Sequence, residues 1–126
     1  MTVPVSHTTK TLRKRFGAWL KAKREEAGMT QLDLADLLDY AYSTTVSQIE
    51  RGVSSLPPGE LERWSLSIRV RPAEMAKTYL YYTEPFLYEA LHGTDVYRKE
   101  GLPKPVPSIT RRNARAQKAD GELEQA

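Results

Sequence analysis

The sequence predicts an all-α fold of five to six helices, and three observations carry that expectation. Apolar residues recur three and four positions apart in successive segments, as on one buried helix face. Glycines and prolines fall between those segments, where they end one helix or open the next. No alternating strand pattern competes with the helical spacing. The 126 residues, 40% hydrophobic and 28% charged, suffice for one packed domain with a tail.

Residues 1–10 lack periodicity and are expected to be a flexible arm. The first helix is expected from Thr11, with Leu12, Phe16, Trp19, Leu20 and Ala27 inward, and Gly28 stops it. Thr30 is the natural N-cap of a second helix, with Asp33 completing an approximate capping box and Leu34, Ala35, Leu37 and Leu38 buried. After the interruption at 39–42, Ser43 or Thr44 caps a short third helix running through Glu50. Val46 and Ile49 face inward there, and Gly52 ends the helix. The loop from Val53 to Gly59 leads into a fourth helix lined by Leu61, Trp64 and Ile68. Pro72 opens a fifth helix with Met75, Tyr79 and Tyr82 on one face, and Phe86–Leu91 form a sixth that ends at Gly93. The domain is thus placed at 11–93. Residues 94–126 read as a linker, with proline at every second position from Pro103 to Pro107, and a disordered basic then acidic tail.

Absent residue types narrow the function. The chain has no cysteine, which removes disulfide scaffolds, thiolate metal sites and cysteine catalysis. No run is long and apolar enough for a membrane span, and no signal-peptide segment is expected, so a cytoplasmic, nucleoid-associated protein is anticipated. His7 and His92 are isolated, and no nucleophile elbow, phosphate-cradling loop or His-Glu-x-x-His motif occurs. Enzymatic activity, a metal, a cofactor and a small-molecule ligand are therefore not expected. The net charge of +3 is unevenly distributed. Residues 1–24 hold seven Lys/Arg and no carboxylate, whereas residues 25–50 hold six carboxylates and no Lys/Arg. Basic stretches of this kind attract phosphate, although a solvated helix face reads the same way.

The connected series Gly28-Met-Thr-Gln-Leu-Asp-Leu-Ala35, a turn, and Thr44-Thr-Val-Ser-Gln-Ile-Glu-Arg-Gly52 resembles the Cro/C1-type (XRE) helix-turn-helix family of DNA-binding regulators. The resemblance spans roughly residues 12–80 and implies a lambda-repressor-like DNA-binding domain acting on double-stranded DNA. On that reading Ser43, Thr44, Thr45, Ser47 and Gln48 offer hydrogen bonds and methyl groups to base edges in the major groove. Gln48 suits adenine, and the methyl of Thr44 or Thr45 suits thymine; the bland account of each Ser or Thr is helix capping. The resemblance places Gln31, aided by the second helix's first amides, and Arg51 on phosphates. Lys10, Arg13 and Lys14 are further phosphate candidates that read equally as solvated charges. It also implies a structural ion pair between Arg24 and Glu50.

The chain departs from the family pattern in three places. It has one extra residue between Gln31 and Arg51, which leaves the register of the third helix open by one. Asp39 or Tyr40 stands where the turn glycine is expected, and Arg69 stands where a glycine closes the fourth helix. Residues 79–97 hold six of the eleven aromatics. Tyr79, Tyr82, Phe86, Leu87, Tyr88 and Leu91 are therefore expected at a homodimer interface, since aromatics bury large area with few rotors. Such a dimer would occupy an inverted repeat, most simply as a repressor. The rival reading is an antitoxin or co-regulator of the same fold, docking a protein through its aromatic region or tail.

Overall fold

The computed structural model describes residues 6–105. Ser6 caps the first helix by accepting a 3.1 Å hydrogen bond from the Thr9 amide, so α1 runs His7–Glu26. The helix therefore starts four residues before the apolar pattern does, and Lys10 is helical rather than part of an arm. The rest of the arm, residues 1–5, lies outside the described residues. The other helices are α2 (Gln31–Leu37), α3 (Thr44–Glu50), α4 (Leu61–Ser67), α5 (Pro72–Thr83), α6 (Pro85–His92) and α7 (Val96–Glu100), with a 3-10 turn at Pro58–Glu60. All regular structure among the described residues is helical.

The first four helices stop in the same way. The residue just past each cap adopts a positive φ, and the next amide reaches back to a carbonyl in the last turn. Those reaching bonds run from Met29 to Arg24, Tyr40 to Ala35, Val53 to Gln48 and Val70 to Ser65, at 2.9–3.2 Å. Gly28 and Gly52 fill the left-handed position at two ends; Asp39 (φ 61°) and Arg69 (φ 58°) fill it at the others. The turn position that the sequence left between Asp39 and Tyr40 is thus held by Asp39. Tyr40 instead turns inward and accepts a 2.9 Å hydrogen bond from the Trp64 indole, with its own hydroxyl pKa raised by burial.

Helix α1 is the spine and packs against both α3 and α5. On one flank its Phe16 and Leu20 meet Leu34, Ala35, Leu38, Val46, Ile49, Leu56, Trp64, Ile68, Val70 and Met75. Leu37, expected in this core, is 61% exposed. Leu34 and Leu38 take the inner face one turn apart, and Leu37 lies about 100° round the helix from Leu38. Nearer the N-terminus of α1, Leu12 joins Tyr88 and Val96 in a second cluster, surrounded by Leu80, Tyr81, Tyr82, Tyr97 and Leu102.

That second cluster includes a helix the sequence reading missed. Asp95 caps α7 by accepting from the Arg98 amide, Val96 is fully buried, and Gly101 ends the helix at φ 71°. The folded chain therefore extends beyond Gly93 into the stretch read as linker. The strand of chain after α7 is tied to α1, where the Thr8 hydroxyl donates to the Pro103 carbonyl at 2.8 Å and Arg15 donates to the Glu100 carbonyl at 3.0 Å. Residues 106–126, with Arg111, Arg112 and Arg115, lie outside the described residues.

Candidate nucleic-acid interface

Two glycines let α3 approach α1 backbone to backbone. A Cβ on Gly17 would lie 2.6 Å from the Ile49 carbonyl oxygen and closer still to that of Glu50. A Cβ on Gly52 would lie 2.8 Å from the Lys14 Cα, at a φ of 74° that already favours glycine. Gly17 was passed over in the sequence, although a lone glycine inside a helical pattern is itself a sign of close packing. The contact lays the end of α3 across α1 and brings Lys14 beside Arg51 and Gly52.

A buried polar network fixes the crossing. Arg24 donates to Glu50 through Nε at 2.7 Å and through its terminal nitrogen at 3.1 Å, the paired geometry that suits guanidinium and carboxylate. A third Arg24 nitrogen donates to the Met29 carbonyl at 2.7 Å. The hydrogen bonds it donates to Glu50 raise the Arg24 pKa, and the two side chains are 8% and 1% exposed. Gln31, expected on phosphate, donates its side-chain amide to Glu50 at 2.9 Å and thus completes the network in the free protein. The first turn of α2 also carries its own anion. The Thr30 amide donates to the Asp33 carboxylate at 2.9 Å and the Asp33 amide donates to the Thr30 hydroxyl at 3.0 Å; the bond from the Thr30 amide, with help from the Thr30 side chain, lowers the Asp33 carboxyl pKa. The amides of that turn are therefore partly occupied, which opposes the aid they were expected to give a phosphate.

With Val46, Ile49 and Glu50 buried, the helical period points Thr44, Ser47, Gln48 and Arg51 outward. Thr44, Gln48 and Arg51 are exposed, while Ser43, Thr45 and Ser47 are half-buried. Ser43 precedes the helix without a side-chain capping bond, so the expected choice between Ser43 and Thr44 as a hydroxyl cap is met by neither. The Gln48 side chain makes no hydrogen bond within the described residues, leaving its amide free to donate and accept. Arg51 rests one nitrogen on the Ser47 carbonyl at 3.3 Å. Lys10 and Lys14 are exposed one helical turn apart on α1 and, like Arg13 and Arg51, form no ion pair among the described residues. Arg13 is half-buried and turns toward a small cavity bordered by Leu56, Tyr79 and Tyr82.

The helix-turn-helix family model matches residues 20–75, from the spine of α1 to the middle of α5. The chain carries a Cro/C1-type helix-turn-helix domain. That family is one of DNA-binding transcription regulators, and the matched stretch includes α2 and α3. No curated protein and no solved structure matches the chain significantly. No described helix is long and apolar enough to cross a membrane.

Within this helix-turn-helix domain, sequence reasoning passed over two residues at the edges of α3. Tyr42 is 74% exposed just before the helix, and Val53 is 61% exposed just after it. Their signal was available: large apolar residues in the loops flanking a polar helix, outside any buried stripe. The aromatic region divides into two groups. Tyr79 and Tyr82 turn inward, their rings 5.9 and 6.2 Å from that of Phe16, and Tyr88 is buried with its ring 5.0 Å from Tyr81. These three, expected at a dimer interface, pack against the chain's own helices, Tyr88 buried and Tyr79 and Tyr82 half-buried. Phe86, Leu87 and Leu91 are 77%, 44% and 68% exposed and lie on one side of α6.

Proposed function

We propose that the protein is a sequence-specific repressor that binds an inverted-repeat operator as a homodimer, with α3 in the major groove. The observation that carries this reading is the outer face of α3, where Thr44, Ser47 and Gln48 are turned out from a rigid buried network and flanked by Lys14 and Arg51. Gln48 presents a free amide of the kind that pairs with adenine, while the Thr44 methyl and the ring of Tyr42 offer apolar contact to thymine. Lys10, Lys14 and Arg51 hold phosphates beside the groove and set the register without reading sequence. Ser43 and Thr45 support the contacts from the edges of the helix. Gln31 serves mainly by orienting Glu50, and it reaches a phosphate only if it leaves that partner. The second copy seats on Phe86, Leu87 and Leu91 of α6, a compact apolar group rimmed by polar residues.

Selection of bound duplexes from a random DNA pool at near-physiological salt tests the reading. Enrichment of an inverted repeat with half-sites about one helical turn apart, ~34 Å or a multiple, is the expected result. Binding only at low salt with no enriched sequence would leave a bare electrostatic attraction and sink the operator model. The exposed α6 face favours a second reading, in which it receives a toxin or co-regulator instead of another copy. A monomer in sedimentation that nevertheless folds and binds half-sites would favour that reading.

A further inference from the structure

Outside the helix-turn-helix, α1, α5, α6 and α7 border an open groove of about 330 Å³. Trp19, Tyr81, Tyr82 and Tyr88 make its aromatic side, and Lys77, Thr78, Lys99 and Glu100 make its polar side. Tyr81 stands edge-on to both tyrosine neighbours, with ring centroids 4.9 Å from Tyr82 and 5.0 Å from Tyr88. The three tyrosine rings therefore brace one another edge to face, while Trp19 is backed by the Phe16 ring stacked 6.0 Å away. A cavity of ~150 Å³ holds one benzene ring, so this groove has room for a two-ring ligand. Its size also lies in the range of small-molecule sites, which combine apolar walls with a few convergent polar groups.

The polar groups decide the sign of the ligand's charge. Glu100 reaches the wall but is already matched, accepting from the Tyr81 hydroxyl at 2.7 Å and pairing with Arg15 at 3.2 Å. Burial and this carboxylate both raise the Tyr81 pKa, keeping its hydroxyl a neutral donor. Lys77 and Lys99 stand at the mouth, exposed, with no ion pair among the described residues. The Lys99 ammonium lies 5.5 Å from the Tyr81 ring centroid and so takes the position a ligand cation would need. A cation entering the groove would meet two like charges, whereas an anion would meet two unpaired donors.

We propose that this groove binds a planar aromatic ligand carrying one anionic group, with the aromatic walls contacting the flat body and Lys77 and Lys99 receiving the charge. The site depends on α7, and for that reason the expectation of no small-molecule ligand could not foresee it. It goes beyond the DNA-binding reading and does not depend on it, yet it adjoins the same spine. Arg15 and Trp19 brace or line the groove from α1, and Lys14 and Gly17 of α1 seat α3.

The test is a titration of the full chain with naphthoate, followed residue by residue in amide proton–nitrogen correlation spectra. Naphthylmethylammonium and cyclohexanecarboxylate serve as charge and shape controls. Saturable shifts are expected at Thr78, Lys99, Glu100 and the Trp19 indole, with each control binding about ten-fold or more weakly, the factor of one good contact. Lys77→Glu/Lys99→Glu should lose naphthoate binding and prefer the ammonium control. Lys77→Glu alone should move partway and leaves α7 untouched should the double variant misfold. Shifts that do not saturate, or that centre on Phe86 and Leu91, would overturn the proposal. So would equal binding of both charges, or a folded variant that binds naphthoate unchanged.

Discussion

The two flanks of α1 are packed by different chemistry. Toward α2 and α3 the contacts are aliphatic, closed over a buried ion pair, and held by caps and turns local in sequence. Toward α5, α6 and α7 they are aromatic and held by ties spanning most of the chain, such as Thr8 to Pro103. The first flank fixes α3 on α1 by close backbone contact at Gly17 and Gly52. The second leaves open space between rings. The difference teaches that caps, turns and one buried ion-pair network close the aliphatic flank of this molecule, while ties spanning most of the chain border the flank that holds open space.

Breaking the ion pair should give the largest effect. Arg24→Ala strands the Glu50 carboxylate with only Gln31 as a donor, and a loss of about 3–5 kcal/mol is expected in denaturant unfolding. Arg24→Met/Glu50→Leu removes both charges and should recover most of that loss, because well-packed apolar replacements of a buried pair are often neutral. A double variant as unstable as the single one would show that the pair's worth lies in more than charge satisfaction.

On the aromatic flank, Val96→Ala should cost about 1–3 kcal/mol, since it opens a cavity beside Leu12 and Tyr88. The comparison sharpens in native-state hydrogen exchange. Amides of α7 and the end of α5 should exchange faster in this variant while those of α2 and α3 keep their protection. Uniform acceleration would mean that the two flanks are one cooperative unit.

If α3 enters the major groove as proposed, it gives a contrast between base and backbone contacts. Gln48→Ala is expected to lose about 1–3 kcal/mol at the selected operator and nothing on unrelated DNA. Lys14→Ala should weaken both alike and reduce the salt dependence by about one phosphate contact. Equal weakening on all sequences by Gln48→Ala would remove that residue from base recognition.

Legibility in the sequence followed the same division. The capping box of Thr30 and Asp33, the Arg24–Glu50 pair and the stop at Gly28 each depend on residues a few positions apart or on a quoted motif, and all could be anticipated. Helix α7 could not, because five residues ending Arg-Lys-Glu show no periodicity, and a single buried valine defines their inner face. The fate of Tyr79, Tyr82 and Tyr88 was equally hidden. Composition counts aromatics but does not say whether α1 or a second copy will cover them. The two left-handed positions lie between these cases. Spacing marked both, and only the backbone could assign the first to Asp39 rather than Tyr40.

Those positions predict a small gain. Arg69 is exposed at φ 58° and carries the strain of a side chain in the left-handed region. Arg69→Gly should therefore stabilise by about 0.5–1 kcal/mol once the added freedom of the unfolded chain is subtracted. Asp39→Gly should gain less, because aspartate enters that region more readily. Thermal unfolding of the two variants separates the cases, and an equal gain would contradict the distinction.

The smallest effect expected is a pH dependence confined to the α2 cap. The hydrogen bond from the Thr30 amide holds the Asp33 carboxyl below its ordinary value of 3.8, so the folded state binds this proton less readily than the unfolded chain. Its contribution to stability is therefore fully present above that value and is lost as the pH falls through the lower folded value. Asp33→Asn should flatten only the acid end of the stability profile and leave the profile above the ordinary carboxylate range unchanged in slope. Arg24 remains charged throughout that window, and its bond to Glu50 should not respond to the substitution. A change in slope near neutrality would instead tie Asp33 to groups beyond its own turn, and the local character of the helix-turn-helix flank would no longer hold.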